Sequence, residues 1–322
     1  MPRISDPANW TTPWSFVHVA DMHVGTPRSY RFQPAWNENW AVAREQIIEL
    51  DPALVLVGGD LTRDGSTHRL ELETMRRDLA ALPFPAHVIP GNHEVGNKFS
   101  TTSSVAIRPD YVRLYESVFG PSQWSVLHRG VRFSGCDAFL LGSGLPQEAT
   151  LRSWLEEQTR LPHAPIHVWM IHPALFADRF DEPDWNPSTH REEWYFVLDG
   201  VHRRFLVEIF RATGATHIIT AHIHCRRMVD LGGMKISFAP STAFPQWADR
   251  WPDGDPTLGF LRGDVGPEGL AIRFIPLRRR STRKGYGPGG NPGLEGRDYS
   301  AAWEQPPLDV EENRFPQNTT EP

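Results

Sequence analysis

Cysteine is almost missing from this sequence of 322 residues, where Cys136 and Cys225 are the only two. Two thiols are no disulfide framework, and such scarcity suits a reducing compartment. No apolar run reaches the roughly 18 residues that a membrane-spanning helix needs. The stretch from Met1 to Trp14 lacks the basic-then-apolar pattern of a secretory leader, so a cytoplasmic location is expected. Basic residues are in deficit as well. Lys and Arg number 33 against 39 Asp and Glu, a formal charge of −6, which disfavours a nucleic-acid partner and leaves room only for a local basic face. The glycine fingerprints of phosphate-binding loops and dinucleotide folds, and the Gly-x-Ser-x-Gly elbow, do not occur. What the chain does have is histidine, 14 in all, with 12 Trp and 29 Pro. Abundant imidazole with little thiolate points to metals held by nitrogen and carboxylate oxygen.

Five short apolar runs each lead into a potential metal ligand. Trp14 to Ala20 runs into Asp21, Ala53 to Val57 into Asp60, and Ala86 to Ile89 into Asn92. His167 to Ile171 ends at His172, and Thr216 to Ala221 ends at His222. Runs this short, rich in Val and Ile, read as strands, and their near-continuous apolarity predicts cover on both faces. Helical spacing lies between them. Trp36, Trp40, Ala43, Ile47 and Leu50 make one stripe, closed by Pro52. Leu72, Met75, Leu79 and Leu82 make a second, with Ser66 or Thr67 as its N-cap. Thr150 is expected to cap a helix over Leu151–Gln158, and Val201, Phe205, Ile209 and Ala212 form a stripe ended by Gly214. Strands alternating with helices imply an α/β fold with a largely parallel central sheet. Ligands then gather at the carboxyl ends of the strands, which places Asp21, Asp60, Asn92, His172 and His222 on one edge. Three more strands are expected over Lys235–Ala239, Gly259–Val265 and Gly269–Leu277. Cys136 reads as part of a turn, and Cys225, pointing away from its histidine neighbour, as an inert buried thiol.

The ordered elements Asp21-Met22-His23, Gly59-Asp60, Gly91-Asn92-His93-Glu94, His172 and His222-Ile223-His224 resemble those of the calcineurin-like metallophosphoesterases. The likeness covers about Phe16 to His224 and five separated elements in the family's order. One departure is visible: Ala221 stands where the family usually has glycine. The resemblance implies a four-layer α/β/β/α sandwich of two mixed sheets flanked by helices. It implies two ions (Mn, Fe or Zn), the first held by Asp21, His23 and His224 and the second by Asn92, His172 and His222, with Asp60 bridging. His93 would contact the phosphoryl oxygen or the leaving group. Two divalent ions about 3.5–4 Å apart offset the repulsion between an anionic nucleophile and an anionic phosphorus centre and yield a bridging hydroxide near neutral pH.

Arg63 occupies the position where purple acid phosphatases carry tyrosine, which disfavours that branch. Gly59 to Ser66 and the approach to Asn92 resemble the cyclic-nucleotide phosphodiesterases. The Asn92 to Asn97 stretch and Trp194-Tyr195-Phe196 look more like the calcineurin-like phosphatases assigned to phosphoserine and phosphothreonine. The expected reaction is hydrolysis of a small phosphodiester. The alternatives are a monoesterase or phosphoprotein phosphatase on the same site and, remotely, a binding scaffold. Specificity belongs in the loops at the strand ends, where Arg28, Arg31, Asn97, Trp185 and Trp247 are candidate substrate-binding residues. Residues 1–280 form the expected catalytic domain. Residues 281–322, rich in Gly and Pro, read as an arm that could join copies of the chain, preceded by a solvated basic run at Arg278-Arg279-Arg280.

Overall fold

The computed structural model describes residues 12–26, 32–98 and 105–283. Among them, two mixed sheets lie face to face. The first holds β1 (Trp14–Val19), β2 (Leu54–Val57), β3 (Ala86–Val88), β10 (Gly259–Gly266) and β11 (Gly269–Pro276) in the order β11-β10-β1-β2-β3. The second holds β4 (Gln123–His128), β5 (Val131–Cys136), β6 (Ile166–Met170), β7 (His217–Thr220), β8 (Arg227–Leu231) and β9 (Met234–Phe238) in the order β4-β5-β6-β7-β9-β8. The centre of each sheet is parallel: β1, β2 and β3 in one, and β5, β6, β7 and β9 in the other. The remaining strands pair antiparallel at the edges. The alternating pattern thus builds two sheets rather than the single one that pattern alone suggests.

The alternation explains why the runs are apolar throughout. Phe16, Leu54 and Leu56 enter a core shared with Phe133, Val168, Met170 and Ile219 of the other sheet. The intervening Val17, Val19, Val55 and Val57 face outward into a core with helix residues Trp40, Ile47, Met75 and Leu79. Each such side chain, fully buried, contributes about 1.5–3 kcal/mol. Helices cover both outer faces, giving the sandwich that the motifs imply.

Helix α1 (Pro34–Leu50) starts on a proline whose fixed φ suits the first turn, and Asp51 in left-handed conformation ends it. Its Trp40 donates to Asp78 of α2 (Arg69–Ala80) at 3.0 Å. Neither Ser66 nor Thr67 caps α2. Ser66 N and Thr67 N are tied into the loop by His93 O and Asp64 O, Thr67 Oγ1 turns to Asp64 O and the His68 ring, and the helix begins at Arg69 with His68 at the cap position. The short α3 (Asn92–Val95) is followed by α4 (Pro109–Phe119). Helix α5 (Pro146–Gln158) starts four residues before the expected Thr150, because Pro146 opens it and Glu148 takes the N–H groups of Gly142 and Gly144. After the short α6 (Arg191–Phe196) comes α7 (Gly200–Ala212), which buries Arg203, Leu206, Val207 and Phe210. Its Val201 is 57% exposed, so the expected stripe is rotated from the real one. Arg203 is admitted to the core because Glu182 pairs with it at 3.3 Å and the Glu182 carbonyl accepts from it at 2.6 Å.

Cys136 closes strand β5 rather than lying in a turn; it and Cys225 are buried and free. The basic run after β11 is exposed but docked. Arg278, Arg279 and Arg283 pair with Glu49, Glu45 and Glu38 along α1, while Asn39 and Gln46 accept the backbone N–H groups of Ser281 and Arg278. Exposed pairs of this kind contribute about 0–1 kcal/mol each. Most of the expected arm, from residue 284 on, lies outside the described residues. No helix among the described residues is long and apolar enough to cross a membrane.

Candidate metal centre

The parallel strands of both sheets end at one seam. From the first sheet, β1 delivers Asp21 and His23, β2 delivers Asp60, and β3 leads into Asn92 and His93 at the start of α3. From the second, β6 delivers His172 and β7 delivers His222 and His224. The loops run on as paired backbone beyond the strands: Asp21 N to Gly59 O, His23 N to Asp60 O and Ala221 N to His172 O.

The backbone is strained where donors cluster. Asp21, His23, Asp60, His222 and His224 all take positive φ, between 48° and 74°. Five such residues in one place mark a site held against its local preference by the surrounding fold. Close approach helps to hold it. A Cβ on Gly59 would stand 2.6 Å from His172 Nδ1, and one on Gly91 would stand 2.2 Å from Asp60 Oδ1. Glu94 ties the two loops together. One of its oxygens accepts Thr62 N and Oγ1 at 2.9 and 2.8 Å, and the other accepts Gly91 N at 2.8 Å. Burial and the nearby Asp60 carboxylate push Glu94 up to about 8.

Two sets of donors share Asp60: Asp21, His23, Asp60 and His224 form one, and Asp60, His172 and His222 the other. His224 Nε2 lies 3.1 Å from Asp21 Oδ1 and 3.3 Å from His23 Nε2. Asp60 Oδ2 lies 3.3 Å from His172 Nε2 and 3.7 Å from His23 Nε2. The imidazoles are oriented by their far nitrogens. His172 Nδ1 donates to Gly58 O at 2.7 Å, His224 Nδ1 to Phe244 O at 2.8 Å and His222 Nε2 to Tyr195 O at 3.1 Å. A carbonyl can only accept, so in each neutral ring the opposite nitrogen carries the lone pair that can face the centre. Asn92 is oriented too, its Nδ2 donating to Tyr195 Oη at 2.8 Å.

The donor set fits metal ions. Asp21 Oδ1 and Asn92 Oδ1 are buried with no hydrogen-bond partner among the protein groups, and Asp21 Oδ1 stands at the centre, 3.1 Å from His224 Nε2. Orphaned acceptors of this kind are costly unless a cation takes them up. Oxygen and imidazole donors without thiolate suit Mn, Fe or Zn and do not choose among them.

Burial holds most of the imidazoles uncharged. It lowers His23 and His222 well below the usual histidine range and brings His93 to about 4. At His172 burial is outweighed by the Asp60 and Asp21 carboxylates, which push it up to about 9. His93 Nδ1 donates to Arg63 O at 2.6 Å, its N–H donates to Asp60 Oδ1 at 2.9 Å, and its Nε2 lies 3.9 Å from Asp60 Oδ2.

The centre opens into a cavity of about 510 Å³. Tyr195, Phe196 and Phe244 make its apolar wall, with Arg63, Arg191, Glu192 and Gln246 among its polar lining. Of the candidate substrate residues, Arg28 and Arg31 lie outside the described residues. Asn97 is buried, 1% exposed, and donates to Tyr195 O at 3.1 Å from behind the wall. Trp185 bonds to Glu182 at 3.1 Å, and Trp247 packs on Phe196 and Trp251 with Arg250 over its ring. Neither tryptophan lines the cavity. The wall residues Tyr195 and Phe244 lie in loops expected at the strand ends but were not among the candidate substrate residues. Part of their contribution is a main-chain carbonyl, which leaves no mark on residue type.

The sequence profile of the calcineurin-like phosphoesterases matches residues 15–226. The chain belongs to that family. This phosphoesterase is 21% identical over 227 residues to the DNA double-strand break repair protein Mre11 of Methanocaldococcus jannaschii, covering 63% of this chain and 57% of that one. It is 23% identical over 238 residues to the serine/threonine-protein phosphatase CPPED1 of Danio rerio, covering 67% and 71%. The fold is similar to that of a purple acid phosphatase from yellow lupin seeds, with TM-score 0.59, 14% identity and 85% of this chain against 53% of that one. The phosphoesterase thus spans little more than half the length of the Mre11 and lupin relatives.

Proposed function

We propose that this phosphoesterase hydrolyses small phosphodiesters at a dinuclear metal centre, with Asp21, His23, Asp60 and His224 holding one ion and Asp60, Asn92, His172 and His222 the other. The buried, orphaned oxygens of Asp21 and Asn92 carry this reading. Two ions held there would supply Lewis acidity and lower the pKa of coordinated water. The chain does the rest. Arg63 and Arg191 place positive charge beside an incoming phosphate. His93 is anchored through Nδ1, so its Nε2 is the atom that can carry a proton. An anionic phosphate beside it raises its pKa and lets Nε2 protonate the leaving oxygen. Tyr195, Phe196 and Phe244 exclude water and offer an apolar surface to an organic group on phosphorus.

A second reading is a phosphomonoesterase, including one acting on phosphoserine or phosphothreonine. The similarity to CPPED1, a serine/threonine-protein phosphatase by name, favours it. Metal-loaded enzyme assayed side by side on an aryl phosphodiester, an aryl phosphomonoester, cyclic nucleotides and a phosphopeptide separates the two. The diester reading expects the higher kcat/KM on diesters; a strong monoester preference overturns it in favour of the second.

A further inference from the structure

Tyr195 touches two of the three residues that distinguish the second set of donors from the first, Asn92 and His222. Its hydroxyl accepts Asn92 Nδ2 at 2.8 Å, and its main-chain carbonyl accepts His222 Nε2 at 3.1 Å. The same carbonyl accepts Asn97 Nδ2 at 3.1 Å, which uses both of its lone pairs. The Tyr195 ring lies 5.2 Å from that of His222 at an interplanar angle of 34°. One residue of α6 therefore fixes which way the Asn92 amide faces, which nitrogen of His222 keeps its lone pair, and how that ring is tilted. The α6 backbone is in turn tied to the second sheet's loop, since Ala174 N donates to Phe196 O at 3.1 Å and Leu198 N to Ala174 O at 3.0 Å.

We infer that Tyr195 is a positioning residue for one of the two ions, the one held by Asn92, His172 and His222, with Asn97 bracing it from behind. The inference rests on the dinuclear reading above. Without the hydroxyl, the Asn92 amide loses the acceptor that turns its Nδ2 outward, so its oxygen is no longer held toward the centre. Removing a partner that orients a ligand typically weakens metal binding about 10–100-fold.

The test is a titration of metal-free wild type and Tyr195→Phe with Mn²⁺, following stoichiometry and the two stepwise affinities by calorimetry and electron paramagnetic resonance. The expected result is two ions in both proteins, with one affinity unchanged and the other at least tenfold weaker in the variant. The melting temperature of the metal-free variant should match that of wild type. Equal affinities in the two proteins overturn the positioning role, and so does an equal loss at both steps, which would mean general loosening. A wild type that binds fewer than two ions would instead sink the dinuclear reading itself.

Discussion

The two carboxylate oxygens of Asp60 are divided between His93 and His172: Oδ1 accepts the His93 N–H at 2.9 Å, and Oδ2 lies 3.3 Å from His172 Nε2. An amide cannot serve both. In Asp60→Asn, either the nitrogen faces His172 and cannot ligate, or it faces the His93 N–H and leaves that donor unpaired. The variant should therefore bind at most one ion tightly and lose roughly 10²–10³ in kcat, the scale seen when one preorganised electrostatic contact is removed. Its circular dichroism should match wild type. Undiminished turnover with two bound ions would overturn the bridging role.

His172 gives the pH dependence of loading. Its ring is pushed up to about 9 by the carboxylates that would share an ion with it, so near neutral pH the metal-free centre holds a proton there. An ion must displace that proton. Apparent affinity should rise as pH increases toward 9 and level off above it, by about tenfold per pH unit for one released proton. Calorimetric Mn²⁺ titrations in buffers of different ionisation enthalpy would count the proton. Affinity that is flat from pH 6 to 8 would contradict the assignment.

Gly59 and Gly120 separate backbone strain from crowding. Both have positive φ, 93° and 85°. A Cβ on Gly120 meets open space, whereas one on Gly59 meets His172 Nδ1 at 2.6 Å and Gly91 N at 2.7 Å. Gly120→Ala should cost about 1–3 kcal/mol, the conformational part alone. Gly59→Ala should cost at least about 2 kcal/mol more, because the neighbours are backbone and a fixed ring. It should also displace His172 and weaken metal binding. Urea unfolding of the two variants, compared with metal titration, checks both halves; equal stability losses would show that the contact is relieved cheaply.

How far the sequence revealed this molecule depended on what a residue contributes. Side chains such as Asp21, Asp60 and His222 were legible because each follows an apolar run and offers chemistry specific to its type. Strands β4 and β5 were not read. Strand β4 is half-buried along most of its length, so no face of it is strictly apolar, and β5 ends in a Ser-Gly-Cys that looks like a turn. The two-sheet arrangement was legible only through the motif resemblance, since strand patterns do not say which strands pair. The cap of α2 was misread because loop contacts committed Ser66 and Thr67 elsewhere. The Trp194-Tyr195-Phe196 stretch was noticed by resemblance, but the part Tyr195 plays was not legible, because half of it belongs to a carbonyl that every residue carries.

Asp137 provides a stability test outside the donor set, although His172 is close enough to act on its charge. It is buried at the end of β5, where one oxygen accepts Phe139 N at 3.0 Å and the other has no partner. Burial pushes it up to about 7 from an ordinary carboxylate value of 3.8. A raised folded-state value means that the folded protein binds the proton more tightly than the unfolded chain does. The contribution is thus fully present below about pH 4 and is lost as pH rises through 7. Asp137→Asn keeps an acceptor for Phe139 N and removes the charge, so it should flatten this part of the stability profile. The variant should melt several degrees above wild type at pH 8, by about 2–4 °C per kcal/mol for a chain of this size, with little difference near pH 4. Metal-free protein melted across pH 4 to 8 gives the comparison. A wild type whose stability changes no more steeply than that of the variant between pH 5 and 8 would show that Asp137 is ionised in the folded state.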